Sequence, residues 1–179
     1  MPKLAKFGLL PRENCVPDVL APGLKLVFCG TALGRISAER KAYYANPGNF
    51  FWRTLWTIGL TPELIPPRDY AKVLDYGLGL TDLCKVHFGN DADLPVEAFD
   101  VAALKEKMLL YQPRILAFTS KTAGSAFLGR PTRDIPSGPQ PDTVNQTGIW
   151  VLPSPSGQAR IFWKHEIWKA LADTVSGFH

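Results

Sequence analysis

Two loops rich in proline, glycine and polar side chains have the residue types best suited to chemistry. The segment LPSPSGQAR (Leu152–Arg160) is a stiff loop of small residues that ends in arginine. Backbone amides beside one basic tip suit close approach to a phosphate backbone. Earlier, YYANPGNFFW (Tyr43–Trp52) combines aromatic rings, a proline turn and two asparagines just before a predicted helix. The arginine-tipped loop predicts a polyanionic ligand, although the same residue types also form ordinary turns.

A third loop, in KLVFCGTALGRIS, follows an apolar run but has no obvious catalytic group. Between Gly30 and Gly34 stand Thr31, Ala32 and Leu33, none of which is an acid, a base or a strong nucleophile. The Gly-x-Gly-x-x-Gly fingerprint of dinucleotide-binding proteins is absent, and no Gly-Lys-Ser/Thr of a P-loop follows Gly34. If this loop belongs to an active site, the catalytic group must come from another segment.

The sequence gives no support for a metal or cofactor site. The three histidines are widely spaced, and the three cysteines form no Cys-x-x-Cys pair and are too few for a four-cysteine cluster. An odd number of cysteines also argues against a disulfide framework. We therefore expect no metal, no cofactor and a reducing, cytoplasmic location.

Four apolar runs are predicted to form the strands that position these loops: Leu24–Gly30, Tyr76–Leu83, Arg114–Ser120 and Ile149–Ser154. Three of the runs are almost continuously hydrophobic, as are strands of a parallel sheet covered on both faces. Helical segments separate them and follow the last one. This alternation predicts an α/β fold, a three-layer α/β/α sandwich with a central, mostly parallel four-stranded sheet.

In such a sheet, ligands bind outside the carboxyl ends of the strands. This rule selects four loops: Thr31–Asn49, Thr81–Asn90, Thr119–Lys121 and Ser154–Arg160. The proline- and glycine-rich segment Arg130–Gly148 is interpreted as a long surface excursion.

Length and charge suit a single domain with an anionic partner. The chain has 179 residues, 46% of them hydrophobic, and a formal net charge of +4. We assign residues 1–179 to one domain, with 1–17 as an N-terminal extension. No segment has the apolar length of a membrane span or the pattern of a signal peptide, so we expect no membrane association. We also expect the protein to be a monomer.

At this point a family resemblance becomes specific. The chain resembles the mismatch-specific uracil-DNA glycosylase and thymine-DNA glycosylase branch of the uracil-DNA glycosylase superfamily. Five segments carry the resemblance, in the family's order and at fitting separations: LAPGLKLVFCG, NPGNFFW, YGLGLTDL, YQPRILAF and PSPSGQAR. The similarity extends roughly from Asp18 to Val175. It implies an enzyme that flips uracil out of DNA and hydrolyses its bond to the sugar, releasing free uracil and leaving an abasic site.

The resemblance also implies roles for individual residues. Tyr44 matches the aromatic residue that stacks on the flipped base, and Asn49 matches the asparagine before the first helix. Backbone amides at Thr31 and Ala32, after Gly30, are expected to shape the uracil pocket. The residues that match the DNA-binding loop are Ser154, Ser156, Gly157, Gln158 and Arg160, of which Gln158 and Arg160 match positions that fill the vacated space and hold the opposite strand.

The sequence departs from the family at Ala32, where relatives have a water-positioning asparagine or an aspartate. Asp82, in GLTDL, matches a position that reads the base edge. A carboxylate there can accept a hydrogen bond from N3–H of uracil, whereas cytosine offers only an acceptor at N3. Burial would raise the pKa of Asp82, which suits a general base. Glu39, in ISAERKAYY, is the second catalytic candidate, although its neighbours Arg40 and Lys41 also suit a solvated charged segment.

Two alternatives stay open at this stage. Ala32 is compatible with a damaged-base or nucleotide-binding module of the same fold that has weak or no catalysis. An unrelated small-ligand enzyme is disfavoured by the aromatic loop and the PSPSGQAR loop together. Activity on thymine or hypoxanthine, and the preference for single- or double-stranded DNA, are not determined by the sequence.

Overall fold

The structure is a computed structural model that describes residues 8–9 and 15–178. Its centre is a sheet of five strands: β2 (Leu26–Gly30), β3 (Leu78–Asp82), β5 (Ile115–Phe118), β6 (Gly138–Val144) and β7 (Thr147–Val151). Across the sheet they lie in the order β3-β2-β5-β7-β6. Strands β3, β2, β5 and β7 are parallel to one another, and β6 pairs antiparallel with β7. The mostly parallel sheet is confirmed.

The sheet has five strands, so the prediction of four was one short. The missing strand, β6, lies inside the segment that we interpreted as a surface excursion. It includes Pro139 and Pro141 and alternates between buried and exposed positions. Because β6 is at the edge of the sheet, it pairs on one side only and tolerates proline. Its ladder with β7 is also interrupted between Gln140 and Thr143, so it lacks the continuous apolar run that identified the other strands.

Five α-helices accompany the sheet: α1 (Arg35–Arg40), α2 (Phe51–Thr57), α3 (Val101–Tyr111), α4 (Lys121–Leu128) and α5 (His165–Ser176). Two of them begin at side-chain caps that the sequence provides locally. Asp100 accepts a hydrogen bond from the Ala103 amide at the start of α3, and Ser120 accepts one from the Ala123 amide at the start of α4. Since Ser120 comes two residues after β5, its cap turns the chain sharply at the carboxyl edge of the sheet.

Apolar side chains cover both faces of the sheet, which gives the predicted three layers. On one face, Phe28 of β2 packs against Phe51 of α2 and Trp168 of α5, with ring centroids 5.1 and 5.8 Å away. On the other face, Val27 belongs to a separate buried cluster that includes Leu104 of α3 and residues of α4. Strand residues that are buried on both sides explain the near-continuous apolar runs.

A small antiparallel pair lies apart from the main sheet. It joins β1 (Gly8–Leu9) to β4 (His87–Phe88). Most of the predicted extension, residues 1–17, lies outside the described residues. Within the part that the structure describes, Val16 is buried in the core.

Candidate active site

The carboxyl ends of β2 and β3 bring Gly30 and Asp82 side by side. The two residues are register partners at the end of the parallel pair. A Cβ atom added to Gly30 would lie 2.5 Å from Asp82 Oδ1, 3.5 Å from the Tyr44 hydroxyl and 3.6 Å from Thr119 Oγ1. Glycine at this position leaves room for the Asp82 carboxyl, and the hydroxyls of Tyr44 and Thr119 converge on the same point.

Asp82 is buried, with 5% of its surface exposed. Its Oδ2 atom has no hydrogen-bond partner among the described residues. Burial raises the pKa of Asp82 to about 7, and Asp18 and Asp91 add to the rise, while Lys85 and a backbone hydrogen bond from Gly30 oppose it. A buried carboxyl with an unsatisfied oxygen is uncommon in proteins and costs free energy, so it calls for a functional explanation.

Tyr44 forms one wall of the same site. Its hydroxyl lies 3.1 Å from Thr119 Oγ1, and its ring stacks on Phe51 at 3.8 Å between centroids. Because Phe51 covers one face of the ring, a ligand base can stack only on the other. Tyr44 has φ of +51°, a left-handed conformation that costs energy for a residue with a large side chain. The contacts with Phe51 and Thr119 hold the ring in this conformation.

The glycine-bounded loop after β2 is fastened to the segment that follows β3. Amides of Leu83 and Cys84 donate to the carbonyls of Gly30 and Thr31, at 3.0 and 2.7 Å. The Thr31 hydroxyl donates to Asp91 Oδ1. Ala32 is half-buried and places only a methyl group at this end of the sheet.

Asn49 is occupied in local structure. Its Oδ1 accepts a hydrogen bond of 2.8 Å from the Phe51 amide in the first turn of α2. The backbone amide of Asn49 in turn donates a hydrogen bond of 2.9 Å to the backbone carbonyl of Asn46. The side chain thus fixes the entry into α2 and, through it, the position of Phe51 under Tyr44.

The arginine-tipped loop packs directly against the segment before α2. The Phe50 amide donates to the Pro155 carbonyl at 2.8 Å, and a Cβ atom on Gly157 would lie 2.9 Å from the Gly48 carbonyl oxygen. At the far end of the loop, the Arg160 guanidinium lies over the Phe50 ring, 5.1 Å from its centroid. The two loops that the sequence singled out therefore form one continuous surface.

Serine side chains shape this loop internally. Ser154 Oγ accepts from the Ser156 amide at 3.2 Å, and Ser156 Oγ accepts from the Gln158 amide at 3.4 Å, where a short 3-10 helix (Gly157–Phe162) begins. Gln158 and Arg160 are exposed. The indole of Trp168 donates to the Pro153 carbonyl at 3.0 Å and so anchors the loop to α5.

Glu39, the second catalytic candidate, lies on α1 with its side chain exposed. It therefore differs from Asp82, which is buried at the convergence of Gly30, Tyr44 and Thr119. The structure brings those four residues together and leaves Glu39 on the surface.

Several residues of this site were missed by sequence reasoning. Asp18 bridges Lys85 at 3.0 Å and Lys107 at 2.6 Å and accepts a hydrogen bond of 2.8 Å from Thr81. Lys85 also donates to the Tyr43 hydroxyl at 2.8 Å. No motif or spacing in the sequence marks Asp18, Lys85, Thr119 or Asp91 individually. Lys85 and Thr119 lie in loops that the strand-end rule selected, whereas Asp18 precedes β2 and Asp91 follows β4.

A separate cavity of about 580 Å³ opens beside α3. Its lining includes Asp82, Lys85, Phe99, Leu104 and Lys107. Gly30, Tyr44 and Thr119 do not line it, so the cavity adjoins the convergence described above through Asp82 alone. Within residues 8–9 and 15–178, no group of three or more His, Cys, Asp or Glu side chains could hold a metal, and no helix is long and apolar enough to span a membrane.

The chain is similar to known proteins in sequence and in fold. The family model of the Uracil DNA glycosylase superfamily matches residues 17–172. A solution NMR structure from Methanosarcina acetivorans, named "putative Uracil DNA glycosylase", is similar with a TM-score of 0.61 and 24% sequence identity, over 90% of this chain and 97% of that one. The structural likeness confirms the fold. Because the family match covers most of its length, the chain belongs to the uracil DNA glycosylase superfamily.

Proposed function

We propose that the protein removes uracil from DNA by flipping the nucleotide into the site beside Asp82 and hydrolysing its N-glycosidic bond. Membership of the superfamily supports DNA glycosylase function in general. The observation that carries the finer proposal is the buried Asp82 carboxyl, whose Oδ2 atom lacks a partner among the described residues. A flipped uracil would supply the missing partner, since its N3–H is a hydrogen-bond donor.

The same contact explains how the normal base is refused. Cytosine has an unprotonated N3, which would face the ionised carboxylate acceptor to acceptor. A buried polar group left without a partner costs about 1–3 kcal/mol, enough to disfavour cytosine by roughly ten- to a hundredfold. Tyr44 adds a stacking surface on the ring face opposite Phe51. Amides at Thr31 and Ala32, and the nearby Asn49, complete the proposed uracil-binding set.

Hydrolysis needs a water molecule to attack C1′ while the C1′–N1 bond breaks and its electron pair departs with the base. The water proton must be taken up, and negative charge on the leaving base must be tolerated. With a pKa of about 7, Asp82 can exchange a proton near neutral pH, so its alternative role is the general base that takes the water proton. Because N3 and C1′ lie on opposite sides of uracil, one Asp82 side chain serves either as this base or as the acceptor for N3–H. The products are free uracil and an abasic site.

DNA binding is proposed for the surface formed by the arginine-tipped loop. The half-buried residues Ser154, Ser156 and Gly157 form the part of the loop proposed to lie along a phosphate backbone. Gln158 and Arg160 are exposed at its end, where they can enter the space that the flipped nucleotide leaves. This loop contacts the segment between Tyr44 and α2, which connects the proposed DNA-binding surface to the proposed base pocket.

The test is cleavage of a labelled uracil:guanine duplex by the parental protein, Asp82→Asn and Glu39→Gln. Alkali converts abasic sites to strand breaks, and thymine, hypoxanthine and cytosine duplexes are run in parallel. We expect uracil release by the parental protein and Glu39→Gln, and a loss of at least about a hundredfold in Asp82→Asn, as for removal of a general base.

Other outcomes would redirect the proposal. Release that persists in Asp82→Asn but falls in Glu39→Gln would transfer catalysis to Glu39. If Asp82→Asn instead gains cytosine excision, Asp82 selects the base rather than activating water. No release from any duplex, combined with selective binding to uracil-containing DNA, would identify a binding module in which Ala32 marks the lost chemistry.

A further inference from the structure

Asp91 is a carboxyl group of the site to which neither the family resemblance nor the proposed reaction assigns a role. It begins a short 3-10 helix (Asp91–Asp93) in the segment after β4. Its Oδ1 accepts the hydrogen bond from Thr31, the residue that follows Gly30. Burial raises the pKa of Asp91, and the Thr31 hydrogen bond opposes the rise.

Main-chain contacts make this placement part of the fold. The loop after β2 is held along its length, because Leu83 and Cys84 donate to Gly30 and Thr31. Further along the loop, the Gly89 amide donates to the Leu33 carbonyl at 2.9 Å, and Leu33 and Phe88 form a parallel bridge. As a result, Asp82 lies against the loop at Gly30, and Asp91 contacts the loop at the next residue, Thr31.

The other charged groups around Asp82 are paired, although Asp18 still adds to the rise in the pKa of Asp82. Asp18 is paired with two lysines, and Lys85 lies between Asp18 and the Tyr43 hydroxyl. Burial raises the pKa values of Cys29, Tyr43 and Tyr44 above their ordinary values, so these three groups are neutral at physiological pH. Among the described residues, Asp91 has no cationic partner within salt-bridge distance.

We propose that Asp91 is a positioning residue for the reaction, a second carboxylate that Thr31 holds one residue from the contact between Gly30 and Asp82, where its unpaired charge couples electrostatically to Asp82. The role in the reaction rests on the proposed function, whereas the electrostatic coupling itself does not. Two carboxylates near one another disfavour double ionisation, so the pair releases its protons in separated steps. Asp91 thereby supplies, beside the loop that contains Ala32, a charge that the loop itself lacks.

The coupling can be measured without any catalysis. Carboxyl ¹³C NMR titration of aspartate-labelled protein follows Asp82, with Asp82→Asn to assign its signal. In Asp91→Asn the side-chain amide oxygen can still accept the hydrogen bond from Thr31, but the negative charge is gone. We therefore expect the pH at the midpoint of the Asp82 titration to fall by roughly half to one pH unit. Asp93→Asn, in the same short helix, is the matched control and should leave the midpoint in place. An unchanged midpoint in Asp91→Asn overturns the proposal.

A second variant covers the case in which Asp91→Asn fails to fold. Thr31→Val keeps the side-chain shape but removes the hydrogen bond that favours ionised Asp91. The pKa of Asp91 then rises, its charge at neutral pH decreases, and the Asp82 midpoint should fall in the same direction by a smaller amount. A midpoint that stays constant in Thr31→Val contradicts the proposal equally.

The reaction provides the second readout. If ionised Asp82 is the base, the single-turnover rate of uracil release rises with pH through its midpoint. In Asp91→Asn this rise in rate should occur at lower pH, displaced by the same amount as the NMR titration midpoint of Asp82. If Asp91 had only a structural role, its substitution would lower the rate without displacing the pH at which the rate rises, and that result would overturn its part in the reaction. A parental protein that releases no uracil defeats the proposed function, while the NMR titration still decides the coupling.

Discussion

At the scale of single residues, the proposed catalytic carboxyl destabilises the fold that holds it. The pKa of Asp82 is raised from 3.8 to about 7, mainly by burial. Between these values the native state binds a proton that the unfolded chain has released, so the free energy of unfolding decreases as pH rises through this window. At about 1.4 kcal/mol per pH unit, the cost at high pH is on the order of 1–4 kcal/mol.

Asp82→Asn should therefore stabilise the protein at high pH. We expect its melting temperature to exceed that of the parental protein at about pH 8, with the difference shrinking towards about pH 4, where the native carboxyl is protonated. Asp18→Asn is the control of opposite sign, because Lys85 and Lys107 outweigh burial and lower the pKa of Asp18. It should destabilise the protein at neutral pH. A stability difference for Asp82→Asn that does not vary with pH would contradict the assigned pKa.

The residues of the site differ in how far the sequence alone predicts their placement. Gly30, Asp82 and Tyr44 stand in segments with a recognisable pattern, and the structure brings them together. Thr119 and Asp91 are single polar residues without such a pattern. Their contacts arise only when β5 and the segment after β4 are placed beside β2, so the missing information is tertiary. The roles proposed for Gly30, Asp82, Tyr44 and Asp91 stay predictions.

At the scale of elements, the decisive contact joins two loops. Gly157 lies against the main chain at Gly48, and the Phe50 amide bonds Pro155. One loop leads into α2 and the other follows β7, so neither can move without disturbing the other. This arrangement ties the proposed DNA-binding loop to the aromatic wall of the base pocket.

Gly157→Ala tests this connection. Its Cβ atom would lie 2.9 Å from a backbone oxygen that cannot turn away as a flexible side chain would, so the loops must separate. We expect weaker binding to uracil-containing duplex by fluorescence anisotropy, and a stability loss of about 1–3 kcal/mol from overpacking. Gly148→Ala is the matched control, because the nearest atom to its Cβ would be 3.8 Å away. Equal DNA affinity in both variants would mean that the loop contact does not position the binding surface.

The elements themselves show which signals in a sequence are strong. Strands β2, β5 and β7 were predicted because burial on both faces demands consecutive apolar residues. Strand β6 alternates and includes prolines, so its composition resembles that of a loop. Helix α1 was likewise missed, because its six residues, RISAER, are too few to display helical periodicity. Short or edge elements depend on their neighbours more than on their own residues.

At the scale of the whole molecule, the proposed function uses one end of the sheet. The carboxyl ends of β2, β3, β5 and β7 support the proposed base pocket and the arginine-tipped loop. The amino ends have exposed residues such as Lys25, just before β2. A net charge of +4 attracts any polyanion, but only cations at the carboxyl end can contact a duplex whose flipped base lies beside Asp82.

Salt dependence distinguishes specific phosphate contacts from this general attraction. Each phosphate that a cation neutralises contributes about 0.9 to the slope of log K against log salt concentration for duplex DNA. Arg160→Gln and Lys25→Gln lower the net charge equally but at opposite ends of the sheet. We expect Arg160→Gln to reduce the slope by about one and to weaken binding most at low salt, whereas Lys25→Gln should leave the slope nearly unchanged. If the two variants reduce the slope equally, the arginine contributes only net charge and the arginine-tipped loop is not the DNA-contacting surface.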